Sequence, residues 1–262
     1  MPPLRYFVPN GFTALSLLLG LGSVVKSAEG DFRIAAWMIL WGVLLDKLDG
    51  SAARLLNATS KFGVEFDSFA DFVVFGIAPA ALLYFRLLAT GDYVGWERTA
   101  IMIVSGVYAL CLAIRLARFN VMTEGGESVF FGLPGTLLGA TIGSGYLTWD
   151  KYHLDAGLLH YAPGVLITGA LLMISTVRLP KLKLRKNKAM NALTIVNVGA
   201  VYVFGPLMLF PEYLFGCALL YAVGGVLYCL IRPEAPSQPE QQPASSPSPA
   251  GEAAPEQERL VA

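Results

Sequence analysis

Long apolar runs recur along the chain from Phe12 to Ile231, separated by short polar stretches. A helix needs about 20 mostly apolar residues to cross a membrane. The spacing of the runs predicts an all-α fold, a polytopic membrane helix bundle with about eight transmembrane helices. The predicted helices are Phe12–Ala28, Arg33–Leu56, Val64–Leu88, Thr99–Val121, Pro134–Trp149, His160–Val177, Asn191–Phe210 and Tyr213–Ile231.

The composition agrees with a membrane protein. Of the 262 residues, 55% are hydrophobic and 15% are charged, whereas soluble domains carry about 25% charged residues. The formal net charge is zero, and no nucleic-acid partner is expected. The three cysteines lie in apolar runs without metal-ligand spacing, which indicates small buried hydrophobic residues.

The chain is expected to hold one membrane-embedded domain, residues 1–232, and a tail, residues 233–262. The tail is rich in Pro, Ser, Glu and Gln. Such a segment buries too little apolar area to fold, so disorder is predicted. The first apolar run follows "MPPLRYFVPNG" and is expected to stay in the protein as its first helix.

The positive charges predict the orientation. If the N-terminus is cytoplasmic, 14 of the 19 Lys and Arg residues fall on the cytoplasmic side and five on the other. Cytoplasmic loops carry an excess of Lys and Arg. We therefore expect both termini, and the polar stretch after the second predicted helix, at the cytoplasmic face.

That polar stretch, "DKLDGSAARLLNATSKFGVEFDSFADFVVFG", carries four aspartates. Asp46 and Asp49 are three residues apart, and Asp67 and Asp71 are four apart, so each pair shares one helix face. The connection between the helices reverses the chain and lets all four carboxylates point into one site. Charged groups at membrane depth are costly, and carboxylate oxygens suit hard divalent cations. Two metals held by paired carboxylates are a common device for phosphoryl displacement.

Two other interpretations fit the aspartates. Some of them can act only as caps or ion-pair partners, Asp49 with Arg54, and Asp46 with Lys47 or Lys61. Intramembrane carboxylates can also mark an ion path, as in a divalent-cation transporter.

Small residues and one arginine favour a phosphate site over an ion path. Gly50 follows Asp49, and Gly63 stands at the start of the third predicted helix. Glycine permits a ligand to approach the backbone, and Ala53 keeps the helix face open. Arg54 offers a planar fork that matches phosphate oxygens. Together these residues are typical of a pyrophosphate-binding site.

Written as a pattern, the stretch is D-x-x-D-G-x-x-A-R, eight residues, then G-x-x-x-D-x-x-x-D. This pattern resembles the signature of the CDP-alcohol phosphatidyltransferase family. The segment "VPNGFTALSLLLG" resembles the family's first helix. The segments "FGVEFDSFADFVVFGIAPA", "RLARFNV" and "FFGLPG" are similar to the branch that uses L-serine as acceptor. The matching signature positions are Asp46, Asp49, Gly50, Ala53, Arg54, Gly63, Asp67 and Asp71.

The resemblance implies transfer of a phosphatidyl group from CDP-diacylglycerol to L-serine, with release of CMP. The four aspartates would ligate Mg or Mn, two ions in all, and Asp71 would also be the general base. It further implies an integral protein of a bacterial or archaeal cytoplasmic membrane, and a homodimer. The residues implied for nucleotide and pyrophosphate binding are Asn10, Thr13, Asp49, Gly50, Ala53, Arg54, Gly63 and Asp67.

The acceptor is the less specific part of the resemblance. Arg115, Arg118 and Asn120 lie near the cytoplasmic end of the fourth predicted helix, where they would bind a serine carboxylate or a lipid phosphate. The arginines can instead be topology anchors whose charged ends reach the interface. The same chemistry with choline, inositol or a glycerol phosphate as acceptor is the alternative within the family.

Overall fold

The described residues of the computed structural model are 4–91, 93–124, 132–175 and 188–231, and they form helices and connections without a strand. The predicted all-α fold is confirmed. The long helices are α1 (Phe7–Glu29), α2 (Phe32–Leu55), α3 (Lys61–Asp71), α4 (Ala78–Thr90), α5 (Trp96–Glu124), α6 (Gly135–Lys151), α7 (Ala162–Ile174), α8 (Lys188–Phe204) and α9 (Pro211–Ile231). A π-helical segment, Phe72–Ile77, joins α3 and α4 into one helix and is called the wide-turn segment below. Short 3₁₀ turns cover Leu4–Tyr6 and Ala156–Tyr161.

The surface of the bundle is apolar. Leu18, Leu110, Leu171 and Leu220 expose between 57% and 77% of their area, and an apolar surface of this extent marks contact with a membrane. The protein is therefore an integral membrane protein. Five segments are long and apolar enough to cross a bilayer: Phe7–Glu29, Lys61–Thr90, Trp96–Met122, Ala156–Ile174 and Pro211–Cys229. The number of crossings, about eight, stays a prediction.

The helix boundaries differ from the predicted ones at several ends. α1 begins at Phe7 rather than Phe12, because Pro9 sits in the first turn, where a missing N–H costs nothing. α8 ends at Phe204, just before a turn in which Met208 and Phe210 have positive φ values of 55° and 48°.

The connection from α2 to α3 places the polar stretch. The N–H of Ala58 donates to the Ala53 carbonyl (2.8 Å) and closes α2. Asn57, with φ of 48°, reverses the chain, since asparagine tolerates this conformation. Ser60 then caps α3, its Oγ accepting from the Gly63 N–H at 3.0 Å. The end of α2 and the start of α3 consequently meet at one end of the bundle, called the site end below.

The wide-turn segment Phe72–Ile77 follows Asp71 directly. Single wide turns inside helices are rare and occur often at functional sites. The Tyr108 hydroxyl, fully buried on α5, donates to the Phe75 carbonyl at 3.0 Å. Val74 packs on two glycines: a Cβ at Gly20 of α1 would lie 2.8 Å from Val74 Cγ2, and one at Gly42 of α2 would collide with Val74 Cγ1. These contacts hold the segment close to α1, α2 and α5.

Candidate active site

Three carboxylates meet at the site end. Asp46 and Asp49 come from the last turns of α2, and Asp67 comes from α3. One oxygen of each lies within 4.8 Å of the other two. Three like charges this close, with Asp49 only 6% exposed, repel one another and are stabilised by a cation, and an all-oxygen ligand set suits a hard divalent ion. The residues present therefore fit a divalent metal.

Asp49 is held in place on both of its oxygens. The Thr13 hydroxyl of α1 donates to Oδ2 at 2.9 Å, and the Gly50 N–H donates to Oδ1 at 2.6 Å. Thr13 itself is 3% exposed. A buried carboxylate with two donors keeps its orientation without a ligand, so the site is preorganised at this residue.

Asp46 has a basic neighbour. Lys47 Nζ lies 2.8 Å from Asp46 Oδ2, and the Asp46 side chain is 11% exposed. The ion pair that the sequence offered as an alternative to metal binding therefore exists. The ion pair engages one carboxylate oxygen of Asp46. Asp46 also offers an oxygen to the three-carboxylate group, so the ion pair and a bound metal are compatible.

Asp71 follows Asp67 by one helical turn on α3. The group within 4.8 Å consists of Asp46, Asp49 and Asp67, and the site of all four carboxylates stays a prediction. Four residues of helix displace Asp71 by about 6 Å along α3 from Asp67. Electrostatic interactions still link Asp71 to Asp46 and Asp67 and to Arg115 of α5. Asp71 therefore interacts with both the three-carboxylate group and Arg115.

The small residues leave room around the carboxylates. A Cβ at Gly50 would meet nothing within 4 Å, and one at Gly63 would lie 3.4 Å from Asn10 Oδ1. Asn10 of α1 and Gly63 of α3 are therefore neighbours, beside Thr13 and Asp49. Arg54 is exposed and Ala53 is half-buried on the last turn of α2. The structure brings the predicted nucleotide residues of α1, α2 and α3 to one end of the bundle.

A second polar group joins α5 to α3. The Asn120 amide nitrogen donates to Ser68 Oγ at 3.0 Å and to Glu65 Oε2 at 3.4 Å. Arg115 is half-buried and Arg118 is exposed on the same end of α5. The sequence interpretation named Arg115, Arg118 and Asn120 but missed Ser68 and Glu65 as the contacts of Asn120. Both lie inside the signature stretch, and the i, i+3 spacing that puts them on one face was the available signal.

Comparison with known proteins identifies the class. The family model for CDP-alcohol phosphatidyltransferase matches residues 6–180. The match covers α1 to α7 and includes every aspartate of the site. The chain belongs to the CDP-alcohol phosphatidyltransferase family, as the signature stretch predicted.

The similar curated proteins share one acceptor in their names. The chain is 35% identical over 231 residues to CDP-diacylglycerol–serine O-phosphatidyltransferase of Helicobacter pylori strain J99, covering 87% of this chain and 94% of that protein. It is 31% identical over 179 residues to the Bacillus subtilis protein of the same name, covering 68% and 92%. It is 35% identical over 176 residues to archaetidylserine synthase of Methanothermobacter thermautotrophicus, covering 66% and 70%.

Proposed function

We propose that the protein transfers the phosphatidyl group of CDP-diacylglycerol to the hydroxyl of L-serine and releases CMP. The observation that carries this is the three-carboxylate group of Asp46, Asp49 and Asp67, with Asp71 one helical turn further along α3. The names of the similar proteins, which act on CDP-diacylglycerol and serine, support the choice of donor and acceptor.

The donor end of the site is built from α1, α2 and α3. Asp46, Asp49 and Asp67, with Asp71 completing the set, would hold two divalent ions, Mg or Mn. When bound, the ions supply positive charge that binds the pyrophosphate and offsets charge on the reacting phosphoryl group. Gly50 leaves open space for the nucleotide. The other residues assigned to nucleotide and pyrophosphate are Asn10, Thr13, Ala53, Arg54 and Gly63.

The acceptor end of the site lies between α3 and α5. Arg115, Arg118 and Asn120 bind the acceptor or the lipid phosphate. Asp71 takes the proton from the acceptor hydroxyl as its oxygen bonds to the phosphorus, and the bond from that phosphorus to CMP breaks. The proton goes to Asp71, the phosphatidyl group goes to the acceptor, and CMP is released. No covalent intermediate forms on the enzyme. Positioning and electrostatics supply the rate enhancement.

The membrane setting follows from the substrates. The acyl chains of the donor stay in the lipid, while its nucleotide head reaches polar groups at the bundle end. We assign the site end to the cytoplasmic face of a bacterial or archaeal cytoplasmic membrane, as the Lys and Arg distribution predicts. Residues 1–232 form the membrane domain of this proposal, with a homodimer as its assembly. The predicted disordered tail, residues 233–262, lies outside the described residues.

The test is CMP release by the purified protein in detergent. The protein is given CDP-diacylglycerol, Mg²⁺ or Mn²⁺, and one alcohol at a time from L-serine, choline, inositol and glycerol phosphate. We expect release with serine. Release with another alcohol only would keep the chemistry and overturn the acceptor. No release with any alcohol, together with metal flux into liposomes, would favour the transporter interpretation.

A further inference from the structure

Three buried polar atoms on α5 have no hydrogen-bond partner among the described residues. Ser105 Oγ lies in the first half of the helix, and the other two are Arg115 Nε and Asn120 Oδ1. Both belong to the end of α5 that faces α3, since Arg115 interacts electrostatically with Asp71 and Asn120 contacts Ser68. Buried polar atoms are nearly always satisfied in native structures, and an exception calls for a ligand or a function.

The orientation of the Asn120 amide is fixed by its contacts. Its nitrogen lies 3.4 Å from Glu65 Oε2 and 3.0 Å from Ser68 Oγ. A carboxylate only accepts hydrogen bonds, so the amide group facing Glu65 must be the donor. The carbonyl oxygen Oδ1 therefore points away from Glu65 as an acceptor. The two unpaired atoms are thus one acceptor, on Asn120, and one donor, on Arg115.

A ligand that completes both atoms must itself carry a donor and an acceptor. An amino acid has both, in its ammonium and carboxylate groups. The charges also agree, because Glu65 adds negative charge beside the Asn120 amide, while Arg115 is cationic. An uncharged polyol would leave the charges of Arg115 and Glu65 without a matching group, and the quaternary ammonium of choline has no N–H to donate to Asn120 Oδ1.

The spacing along the helices suits an acceptor of this size. Ser68 and Asp71 are three residues apart on α3, a rise of about 4.5 Å. α5 runs antiparallel to α3, so Asn120 lies level with Glu65 and Ser68, and Arg115 lies level with Asp71. An acceptor with its hydroxyl at Asp71 therefore has its charged groups within reach of both Arg115 and Asn120.

From this geometry, and resting on the proposed function, we infer that Asn120 and Arg115 divide the recognition of the acceptor. The Asn120 carbonyl oxygen accepts from the ammonium group, and the Arg115 guanidinium binds the carboxylate. Glu65 and Ser68 are positioning residues that hold the Asn120 amide in the required orientation. The acceptor site is thereby built for a zwitterion.

The test compares two truncated acceptors as inhibitors of serine-dependent CMP release. One is 3-hydroxypropanoate, which lacks the ammonium group, and the other is ethanolamine, which lacks the carboxylate. We expect Asn120→Ala to raise KM for L-serine by about tenfold or more, the effect of losing one charged hydrogen bond. The Ki of 3-hydroxypropanoate and the KM for CDP-diacylglycerol should stay within about twofold. Arg115→Gln should raise the Ki of 3-hydroxypropanoate and spare that of ethanolamine.

A second, milder variant tests the same contact without truncating the Asn120 side chain. Glu65→Gln keeps an oxygen beside the Asn120 nitrogen and removes the charge, so it should raise KM for L-serine several-fold with an unchanged Ki for 3-hydroxypropanoate. Glu97→Gln, at an exposed glutamate in the first turn of α5, is the matched control and should change neither constant.

The outcomes separate this inference from the proposed function. Unchanged KM for serine in Asn120→Ala and Glu65→Gln, or equal changes in KM for serine and Ki for 3-hydroxypropanoate, would overturn the division of roles. A wild-type protein without serine-dependent CMP release would instead overturn the proposed function itself.

Discussion

A substitution at Gly42 of α2 tests whether close packing around Val74 keeps Asp71 in position. Val74, which is fully buried, lies three residues after Asp71 and is clamped between Gly42 and Gly20. A methyl group at Gly42 would collide with Val74 Cγ1 and lie 3.6 Å from Ser16 Oγ. We therefore expect Gly42→Ala to push the wide-turn segment, and Asp71 with it, away from α2.

The size of the effect follows from two opposing contributions. Overpacking a tight contact costs about 1–3 kcal/mol, and replacing a helical glycine by alanine regains about 1 kcal/mol. Gly106→Ala on α5 gains helix propensity without overpacking, because a Cβ there would meet nothing within 4 Å. The difference between the two variants is thus the overpacking alone. For soluble domains of similar size it corresponds to about 2–12 °C in Tm.

The assay is thermal unfolding in detergent together with the kcat for CMP release. Gly42→Ala should unfold at a lower temperature than Gly106→Ala and turn over more slowly. Val74→Ala removes the colliding methyl group, so the Gly42→Ala/Val74→Ala double variant should recover part of both losses, with a coupling of about 0.5–3 kcal/mol. Equal melting of the two glycine variants, or additive losses in the double variant, would refute the packing argument.

Four further predictions concern the site and the tail. Asp71→Asn should lower turnover by about 10²–10⁴-fold or more while CMP affinity stays within a few-fold; equal loss of both would make Asp71 a ligand and not a base. Thr13→Val removes a donor to the buried Asp49, so half-maximal activity should need several-fold more Mg²⁺, and Thr13→Ser should behave as wild type. Chelation by EDTA should abolish CMP release and added Mg²⁺ or Mn²⁺ should restore it; activity that survives chelation would exclude the metal role. Removal of residues 233–262 should leave activity intact, and a large fall would give the tail a function.

The fold was predictable as far as it depends on apolar run length. The ends of most long apolar runs mark a helix end to within a few residues, as at Leu55 or Ile231, but the helix predicted to end at Phe210 ends at Phe204. The wide turn at Phe72–Ile77 was not predictable, because the local sequence is as apolar as an ordinary helix. The contacts that surround it are tertiary: Val74 packs against two glycines, and Tyr108 donates to the Phe75 carbonyl.

The site was predictable where its residues are close in sequence. The i, i+3 spacing of Asp46 and Asp49 put both on one face, and the turn at Asn57 brought Asp67 to them. The spacing could not show which three of the four carboxylates come within 4.8 Å of one another. Contacts between distant segments, such as Asn120 with Ser68, depend on how α5 packs on α3, which local periodicity does not encode.

The most direct test of the account follows labelled L-serine and CMP in one reaction. Purified protein, CDP-diacylglycerol, Mg²⁺ and labelled serine should yield one CMP for each label that enters the lipid phase. The Asp71→Asn variant, measured alongside, should yield neither. CMP release without label in the lipid, or label transfer that survives in Asp71→Asn, would contradict direct phosphatidyl transfer to serine at this aspartate site.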